Sequence, residues 1–587
     1  MPKRWRVHPH DAAEIRALEQ AARVPFVVAQ MLICRGIRDA AQARAFLDPK
    51  LSDLRDPELL PGVVAAADRL MAAVRDRRKI VIYGDYDLDG MTATAILTIC
   101  LRLLGGDVTT YMPHRIDEGY GLNVEALRTL AEQGANVVVS VDCGITALAE
   151  AEVARELGLE LIVTDHHEMA ERLPCAAAIV HPRLPGTAYP FGELCGAGVA
   201  FKLAWAVCQR ANQAKKVSDR MREFLVQAVG LAALGTVADI VRLVDENRII
   251  VKHGLGSLLQ QPTPGIAALL KLTGLDQKRE LTAEDIGYTL APRLNAVGRL
   301  GQAALGVELL TTDNPERAAA LAEYLNELNG SRESIERSIY LEANKQAQEE
   351  FDPVSDAALV LVGRGWHAGV IGIVASRLVE KYHRPVVMIA LDELGLKPGV
   401  GSARSVPGFD LHGALSACRD TLLGHGGHAA AAGCKIDPEQ IDDFRARFVE
   451  HAAGEISQSS RTAELRIDAE VPFSSLTAEV VQQLERLAPF GCGNPRPVLC
   501  TTGIRLVEPP KKIGGGERHL SLRLNQHGTR FRSVAFGGGE WADAIASVDG
   551  ELAIAFRPVI NDYKGRRSVE LHLCDWRPDT VAEPATP

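Results

Sequence analysis

From about residue 78 onward, short unbroken apolar runs alternate with Ala/Leu-rich stretches of helical length. Lys79-Ile80-Val81-Ile82-Tyr83 is the first run, Asn136 to Val141 the second and Leu161-Ile162-Val163-Thr164 the third. None shows the alternation of a half-exposed strand, so they predict strands buried on both faces of a parallel sheet. Ala147 to Leu157, between the second and third, has the length of a βαβ crossover helix. The pattern predicts an open α/β domain over 56–312, preceded by a polar, helical segment over 1–55.

Asp313-Asn314-Pro315 offers a capping residue followed by proline in a first helical turn, which predicts a helix start. The charged, Ala-rich stretch behind it carries Ile335, Ile339 and Ala343 at helical spacing. It reads as a connecting helix over 313–350. Apolar runs at Ala357–Val362 and Arg384–Leu391 open a second, smaller α/β unit over 351–454. Beyond residue 500 the texture changes to period-two alternation, at Gly503–Glu508, His519–Asn525, Thr529–Gly537, Glu551–Asn561 and Ser568–Asp575. Five strands of that length suit a small Greek-key barrel of the OB type over 462–577. Glu455 to Arg461 is then a linker and 578–587 a Pro/Ala-rich tail.

Composition narrows the class. A chain of 587 residues, 47% hydrophobic and 24% charged, is multidomain and globular, neither fibrous nor disordered. The longest charge-free apolar run, Phe224 to Ala238, is too short for a membrane span. The basic start has no apolar region behind it, so a cytoplasmic protein without a membrane partner is expected. Eleven cysteines with no C-x-x-C pair read as reduced thiols. The net charge of −10 argues against coating DNA by global charge, while leaving room for carboxylates gathered around cations.

The acids sit where such a sheet binds ligands. The first run ends in Gly84-Asp85-Tyr86-Asp87-Leu88-Asp89-Gly90, the second in Asp142-Cys143-Gly144 and the third in Asp165-His166-His167. Ligands of open α/β sheets lie beyond the carboxyl ends of the strands. So many carboxylates repel one another unless divalent cations join them, and mostly oxygen ligands with an imidazole suit Mn²⁺ or Mg²⁺ better than Zn²⁺. A lone Asp after a strand is usually a cap; three strand ends together point to a metal site. The adjacent His166 and His167 are expected to divide their work, one ligating and the other orienting substrate. Two ions would activate a water and clamp a phosphoryl displacement. A Ca²⁺ loop over Asp85–Gly90 is excluded because its twelfth position is Ile96, not Glu.

Asp85–Gly90, Val141–Gly144 and Asp165–His167, with Gly235-Thr236-Val237-Ala238-Asp239, resemble the motifs of the DHH phosphoesterase superfamily. Glu118–Asn123, Pro292–Arg299, Trp366–Gly372, Gly401–Ser405 and Pro489–Pro495 are similar to motifs of its RecJ family of single-strand-specific DNA exonucleases. The resemblance implies a DHH parallel-sheet domain, a DHH-associated domain and an OB-type barrel. It makes Asp87, Asp89, Asp142, His166 and Asp239 metal ligands, with Asp142 bridging. Asp85 and His167 become catalytic groups, His167 on the scissile phosphate. It also implies a 5′→3′ exonuclease of recombination and repair that releases 5′-mononucleotides and acts as a monomer beside a RecQ-type helicase and single-strand-binding protein. Two rivals are a DHH phosphodiesterase of short oligonucleotides or cyclic dinucleotides, and a non-catalytic DNA-binding scaffold.

Arginine forks match phosphate geometry. By the same resemblance Arg115, Ser402 and Arg404 form a 5′-phosphate pocket, and Arg299 lies on the strand path. Gly424–Gly433 resembles the DHH-associated signature, with His428 donating to a phosphate or base. Residues 496–570 carry 12 Lys+Arg against 8 Asp+Glu, a local surplus of +4. With Leu520, Leu522 and Leu524 turned inward, Arg523, Arg530, Arg532 and Tyr563 are candidates for tracking a single strand by charge and stacking. No phosphate-loop motif G-x-x-x-x-G-K-[ST] occurs, which argues against an ATP-driven motor. Gly196-Ala197-Gly198-Val199-Ala200 is an incomplete dinucleotide fingerprint.

Overall fold

The computed structural model describes residues 3–114, 118–353, 355–394, 397–456, 462–563 and 566–579. Strand β1 (Arg4–Val7) belongs to the N-terminal segment. The sheet of the first α/β domain contains β2 (Ile80–Tyr83), β3 (Val108–Tyr111), β4 (Val137–Val141), β5 (Glu160–Thr164) and β6 (Ala178–Val180), in the order β3-β2-β4-β5-β6. All four pairings are parallel. Ile80 and Ile82 face one apolar layer while Val81 and Tyr83 face the other. This explains why the run is apolar without alternation. The order is that of a doubly wound sheet in which the strand order, not the strand direction, reverses between β2 and β4, and a crevice opens at that reversal.

Helix Asp219–Ala238 is long and apolar enough to cross a membrane. Here its apolar residues pack into the central core beside those of helix Leu88–Leu103. A single helix of 36 residues, Pro315–Glu350, is capped by Asn314 and leads to the second domain. Its sheet has the order β10-β11-β9-β8-β7, from β7 (Leu359–Arg364), β8 (Val386–Leu391), β9 (Gly399–Arg404), β10 (Gly424–Gly427) and β11 (Ala431–Ile436). The Gly/Ala-rich stretch around 424–433 is an antiparallel hairpin.

The C-terminal unit has β12 (Glu464–Ile467), β13 (Ala469–Glu470), β14 (Leu499–Leu506), β15 (Lys511–Ile513), β16 (His519–Gln526), β17 (Thr529–Ala535), β18 (Leu552–Tyr563) and β19 (Arg566–Pro578). Strands β14, β18, β19, β17 and β16 close into a five-stranded barrel through the β14–β16 pairing, and β13 and β15 extend the sheet. The five expected strands are thus the barrel proper. The expected linker falls partly at 457–461, and the tail almost wholly at 580–587, both outside the described residues.

The N-terminal segment departs from the separate polar unit read in the sequence. Strand β1 pairs in parallel with β12. Ile15, Leu18, Val28, Met31 and Leu32 share a buried cluster with Leu499, Leu522, Ile554 and Phe556 of the barrel. Helix Phe26–Cys34 is buried along seven consecutive residues, Val27 to Ile33. Its neighbours are supplied by the far end of the chain, and no local periodicity announces them.

Candidate metal centre and nucleic-acid interface

The acidic side chains lie at the reversal of the doubly wound sheet. Asp87 caps helix Leu88–Leu103, its Oδ1 accepting from the Gly90 N–H at 3.0 Å, and Asp89 lies in the first turn. The fully buried Asp89 is held by a second helix: Gly196 N–H donates to Oδ2 at 2.6 Å and Ala197 N–H to Oδ1 at 2.9 Å. Free N–H groups and the positive end of the dipole at a helix start suit a carboxylate. The supposed dinucleotide fingerprint is therefore a carboxylate holder. Asp142 has φ +62°, a strained conformation for a non-glycine residue. A Cβ on Gly196 would lie 2.5 Å from Asp142 Oδ1, and one on Gly235 2.4 Å from Asp89 Oδ1. Both positions require glycine for close approach.

All seven residues assigned to catalysis or metal binding converge. Ligand atoms of Asp142, His166 and His167 lie within 4.8 Å of one another, as do those of Asp89, His166 and Asp239, and of Asp85, Asp87 and Asp142. Asp142 and His166 each belong to two of these groups. His166 Nε2 is 3.1 Å from Asp142, 3.6 Å from Asp239 and 3.8 Å from Asp89. The two imidazoles lie side by side. Their ring centroids are 4.4 Å apart, and His167 Nδ1 stands 4.0 Å from Asp142.

Electrostatics agree with a site built for cations. Burial, then Asp89, Asp87, Asp85 and Asp239, push the Asp142 carboxyl well above the usual carboxylate range. Burial, then Asp89 and Asp87, raise Asp239 to about 8. Burial lowers His166 to about 4, which keeps Nε2 a neutral donor of electrons. Asp142 Oδ1, Asp239 Oδ2 and His166 Nε2 are buried without a hydrogen-bond partner. Unpaired buried polar atoms of this kind are costly unless something binds them, so the donor set fits divalent cations. Among the described residues, every group of potential ligands belongs to this one cluster.

Sequence reasoning missed the residues that orient the cluster. Asp165 is buried and accepts from the Ile145, His166 and His167 N–H groups and from His167 Nδ1 at 2.7 Å. Burial opposes its charge, but the His167 and backbone hydrogen bonds win and hold it at about 2. Burial likewise opposes charge on His167, while the Asp165 bond raises it to about 9. The Tyr120 hydroxyl donates to Asp142 O at 3.1 Å and lies 3.2 Å from His167 Nδ1. His181, fully buried, bonds His167 O at 2.9 Å, and Arg183 Nη2 bonds His166 O at 2.6 Å. Isolated residues after a short strand carry no such signal in the sequence.

The residues expected to bind substrate are linked to the cluster by a chain of contacts. Gly298 packs so closely on the acidic loop that its Cβ would lie 2.0 Å from Tyr86 O. The next residue, Arg299, donates from Nη1 to Gly369 O of the second domain at 3.1 Å. Three residues on, a Cβ on Gly372 would lie 2.8 Å from both Ser402 Oγ and Arg404 Nη2. Arg404 Nη1 is 3.3 Å from Ser402 Oγ. His428 is exposed beside β11, the strand that pairs with β9 carrying Ser402 and Arg404. Arg115 lies outside the described residues, as does the Tyr563 side chain.

In the barrel, Leu520, Leu522 and Leu524 are buried and Arg523 is exposed, as the alternation predicted. The arginines are not all free for a ligand. Arg532 Nη1 pairs with Glu570 at 2.7 Å and Arg523 Nε with Glu508 at 3.4 Å, while exposed Arg530 faces Asn525 across the ladder. Phe536 is 63% exposed and set edge-on between His519 and His572.

Three family models match: the DHH family N-terminal domain over 79–236, the DHHA1 domain over 355–454 and the RecJ OB domain over 467–575. The chain is 37% identical over 575 residues to the single-stranded-DNA-specific exonuclease RecJ of Bacillus subtilis, covering 97% of this chain and 70% of that one. It is 34% identical to its Escherichia coli counterpart, covering 94% and 95%. The crystal structure of Thermus thermophilus RecJ in complex with Mn²⁺ superposes with a TM-score of 0.82 at 32% identity, covering 98% of this chain and 79% of that one. The Mg²⁺ complex of the same protein gives 0.77 at 31% identity, covering 98% and 78%.

Proposed function

The chain belongs to the RecJ family of single-stranded-DNA-specific exonucleases, and from that premise we propose that it degrades single strands from the 5′ end to 5′-mononucleotides. It is a metal-dependent exodeoxyribonuclease using Mn²⁺ or Mg²⁺. In our reading Asp87, Asp89, Asp142, His166 and Asp239 hold two ions, with Asp142 between them. The observation that carries this is the set of three ligand groups sharing Asp142 and His166, whose buried atoms lack partners.

When bound, such ions acidify the attacking water and stabilise charge on the phosphate oxygens. Asp85, beside Asp87 and Asp142, would help align that water. Attack on phosphorus breaks its bond to the 3′ oxygen of the terminal nucleotide, and that oxygen gains a proton from solvent. A nucleotide with its 5′-phosphate leaves, and the next residue carries the new 5′-phosphate. The charged His167, steered by Asp165, donates to a non-bridging phosphate oxygen. Arg115, Ser402 and Arg404 take the terminal phosphate, His428 the neighbouring base or phosphate, and Arg299 the strand beyond. Arg530, Phe536 and the sites of Arg523, Arg532 and Tyr563 guide the incoming strand over the barrel. A RecQ-type helicase and single-strand-binding protein would deliver this substrate to a monomeric enzyme on the nucleoid, in the cytoplasm.

Single-stranded DNA labelled at either end, followed with Mn²⁺, tests the reading. Release of 5′-labelled mononucleotide first is expected, and loss of release in Asp142→Ala. Release from the 3′ end first would overturn the polarity. Preference for di- to pentanucleotides over long strands would favour the short-oligonucleotide phosphodiesterase, and absence of any metal-dependent release the scaffold.

A further inference from the structure

The motif Pro489-Phe490-Gly491-Cys492-Gly493-Asn494-Pro495 lies between helix Ala478–Glu485 and the barrel strand β14, with none of its residues in the metal centre. Its contacts run to the segment that follows Asp239. Leu243 N–H donates to Cys492 O at 2.7 Å. A Cβ on Gly491 would lie 2.7 Å from Leu243 Cδ1, and one on Gly493, at φ +70°, would lie 2.9 Å from Arg242 Cβ. The loop therefore fits against 242–243 only because it is glycine on both sides of Cys492. Three residues separate Leu243 from Asp239, and the first of them, Ile240, has φ +59°, leaving little slack.

The loop is itself fixed from two sides. Buried Asn494 donates to Leu487 O and Pro489 O at 2.8 and 2.7 Å and accepts from Arg35 Nε of the N-terminal segment at 2.6 Å. Arg248, fully buried, donates to Phe46 O, Leu487 O and Ala488 O at 2.9, 2.9 and 2.8 Å. On the catalytic side, buried Asn247 bonds both Arg242 O and Glu193 O. Glu193 lies three positions before Gly196, the first residue of its helix and the one whose N–H holds Asp89. Residues 486–495 thus share the barrel's buried cluster through Leu487 and Phe490, hold Arg35 of the N-terminal segment, and touch the backbone just beyond Asp239.

We propose that the Pro489–Pro495 loop is a positioning element that sets Asp239, and through Asn247 and Gly196 also Asp89, so that the affinity of the centre for its ions depends on how the barrel is seated. The inference rests on Asp239 being a metal ligand. Reciprocity follows: whatever the loop does to ion affinity, ions do to the loop.

The test measures Mn²⁺ binding by the full chain without DNA, from the electron paramagnetic resonance of free Mn²⁺, alongside thermal unfolding. Gly491→Ala and Asn494→Ala are expected to weaken Mn²⁺ binding about tenfold, the range for residues that orient metal ligands. Gly528→Ala, at φ +88° in a barrel hairpin with nothing within 4 Å, strains the backbone of the barrel away from this loop and should bind Mn²⁺ like the parent. Asp239→Asn must weaken binding too; if it does not, the ligand reading falls. If it does while both loop variants bind like the parent, the positioning inference alone is overturned. A second measurement needs no loop variant. Mn²⁺ should slow hydrogen exchange across 486–495 in the parent but not in Asp239→Asn, and protection confined to the loops bearing the acidic ligands would also overturn it.

Discussion

The crevice of the doubly wound sheet and the outer face of the barrel both carry clustered charge, on opposite terms. In the crevice, like charges are buried together, and Asp142 and Asp239 keep oxygen atoms with no partner. On the barrel, Arg523 and Arg532 are exposed and already paired with Glu508 and Glu570. The first arrangement is unstable until a cation arrives, so its residues are committed to one ligand. The Arg523–Glu508 pair lies at the surface, contributes little and can exchange partners with a phosphate chain at small cost. Arg532 is held more firmly, because its partner Glu570 is buried. Composition alone shows an acidic body and a +4 barrel; burial and pairing show which charges are spoken for.

The contrast is most severely tested at Asp142. Asp142→Asn should lower hydrolysis on the order of a thousandfold while the protein remains folded, as single-turnover assays and circular dichroism would show. An activity within tenfold of the parent would make the crevice no different from the barrel. Gly196→Ala comes next, because its methyl group would intrude on Asp142. A fall of about a hundredfold in activity or Mn²⁺ affinity is expected, measured at saturating DNA.

Ion removal should reveal the cost of the crowded carboxylates. In the ion-free protein Asp239 titrates at about 8, against about 4 unfolded. A raised acid contributes stability that is fully present below about 4 and is lost as pH rises through 8. The ion-free midpoint of unfolding should therefore fall between pH 6 and pH 9. Saturating Mn²⁺ should raise it by about 3 °C at pH 6 and by more at pH 9. A Mn²⁺ shift that shrinks with pH would contradict the account.

The smallest effects belong to the barrel. Arg530→Ala should weaken single-strand binding about threefold and reduce the salt slope by about 0.7, read by fluorescence anisotropy. Arg532→Ala, already paired with Glu570, should change the slope less. Equal effects would show that the Glu570 pair is given up on binding.

The parallel strands were legible because burial on both faces leaves an unbroken apolar run, and the acids were legible because such strands end at a ligand crevice. The long helix was announced by Asn314 and Pro315. Asp165 was read as one more acid of a motif, whereas its bonds to three N–H groups make it the brace of His167. Gly196 and Ala197 stood out only as part of an incomplete dinucleotide fingerprint; what they hold was hidden because Asp89 is more than a hundred residues away. The same reason hid the destination of Val27 to Ile33, although a stretch apolar but for Gln30 in a supposedly polar segment was itself a sign of deep burial.

That destination bears on how the protein is made. The cluster joining Ile15, Val28 and Leu32 to Leu499 and Phe556 cannot form until the roughly 520 residues between Cys34 and Phe556 have left the ribosome. At about 5–20 residues per second, the apolar helix Phe26–Cys34 waits tens of seconds for its neighbours, while the doubly wound domain between can already fold. During that interval the nascent chain exposes a sticky amino-terminal segment, a natural client for a holding chaperone. Joining the two ends by circular permutation, with new termini in an exposed loop of the second domain, should shorten the wait and raise the soluble yield.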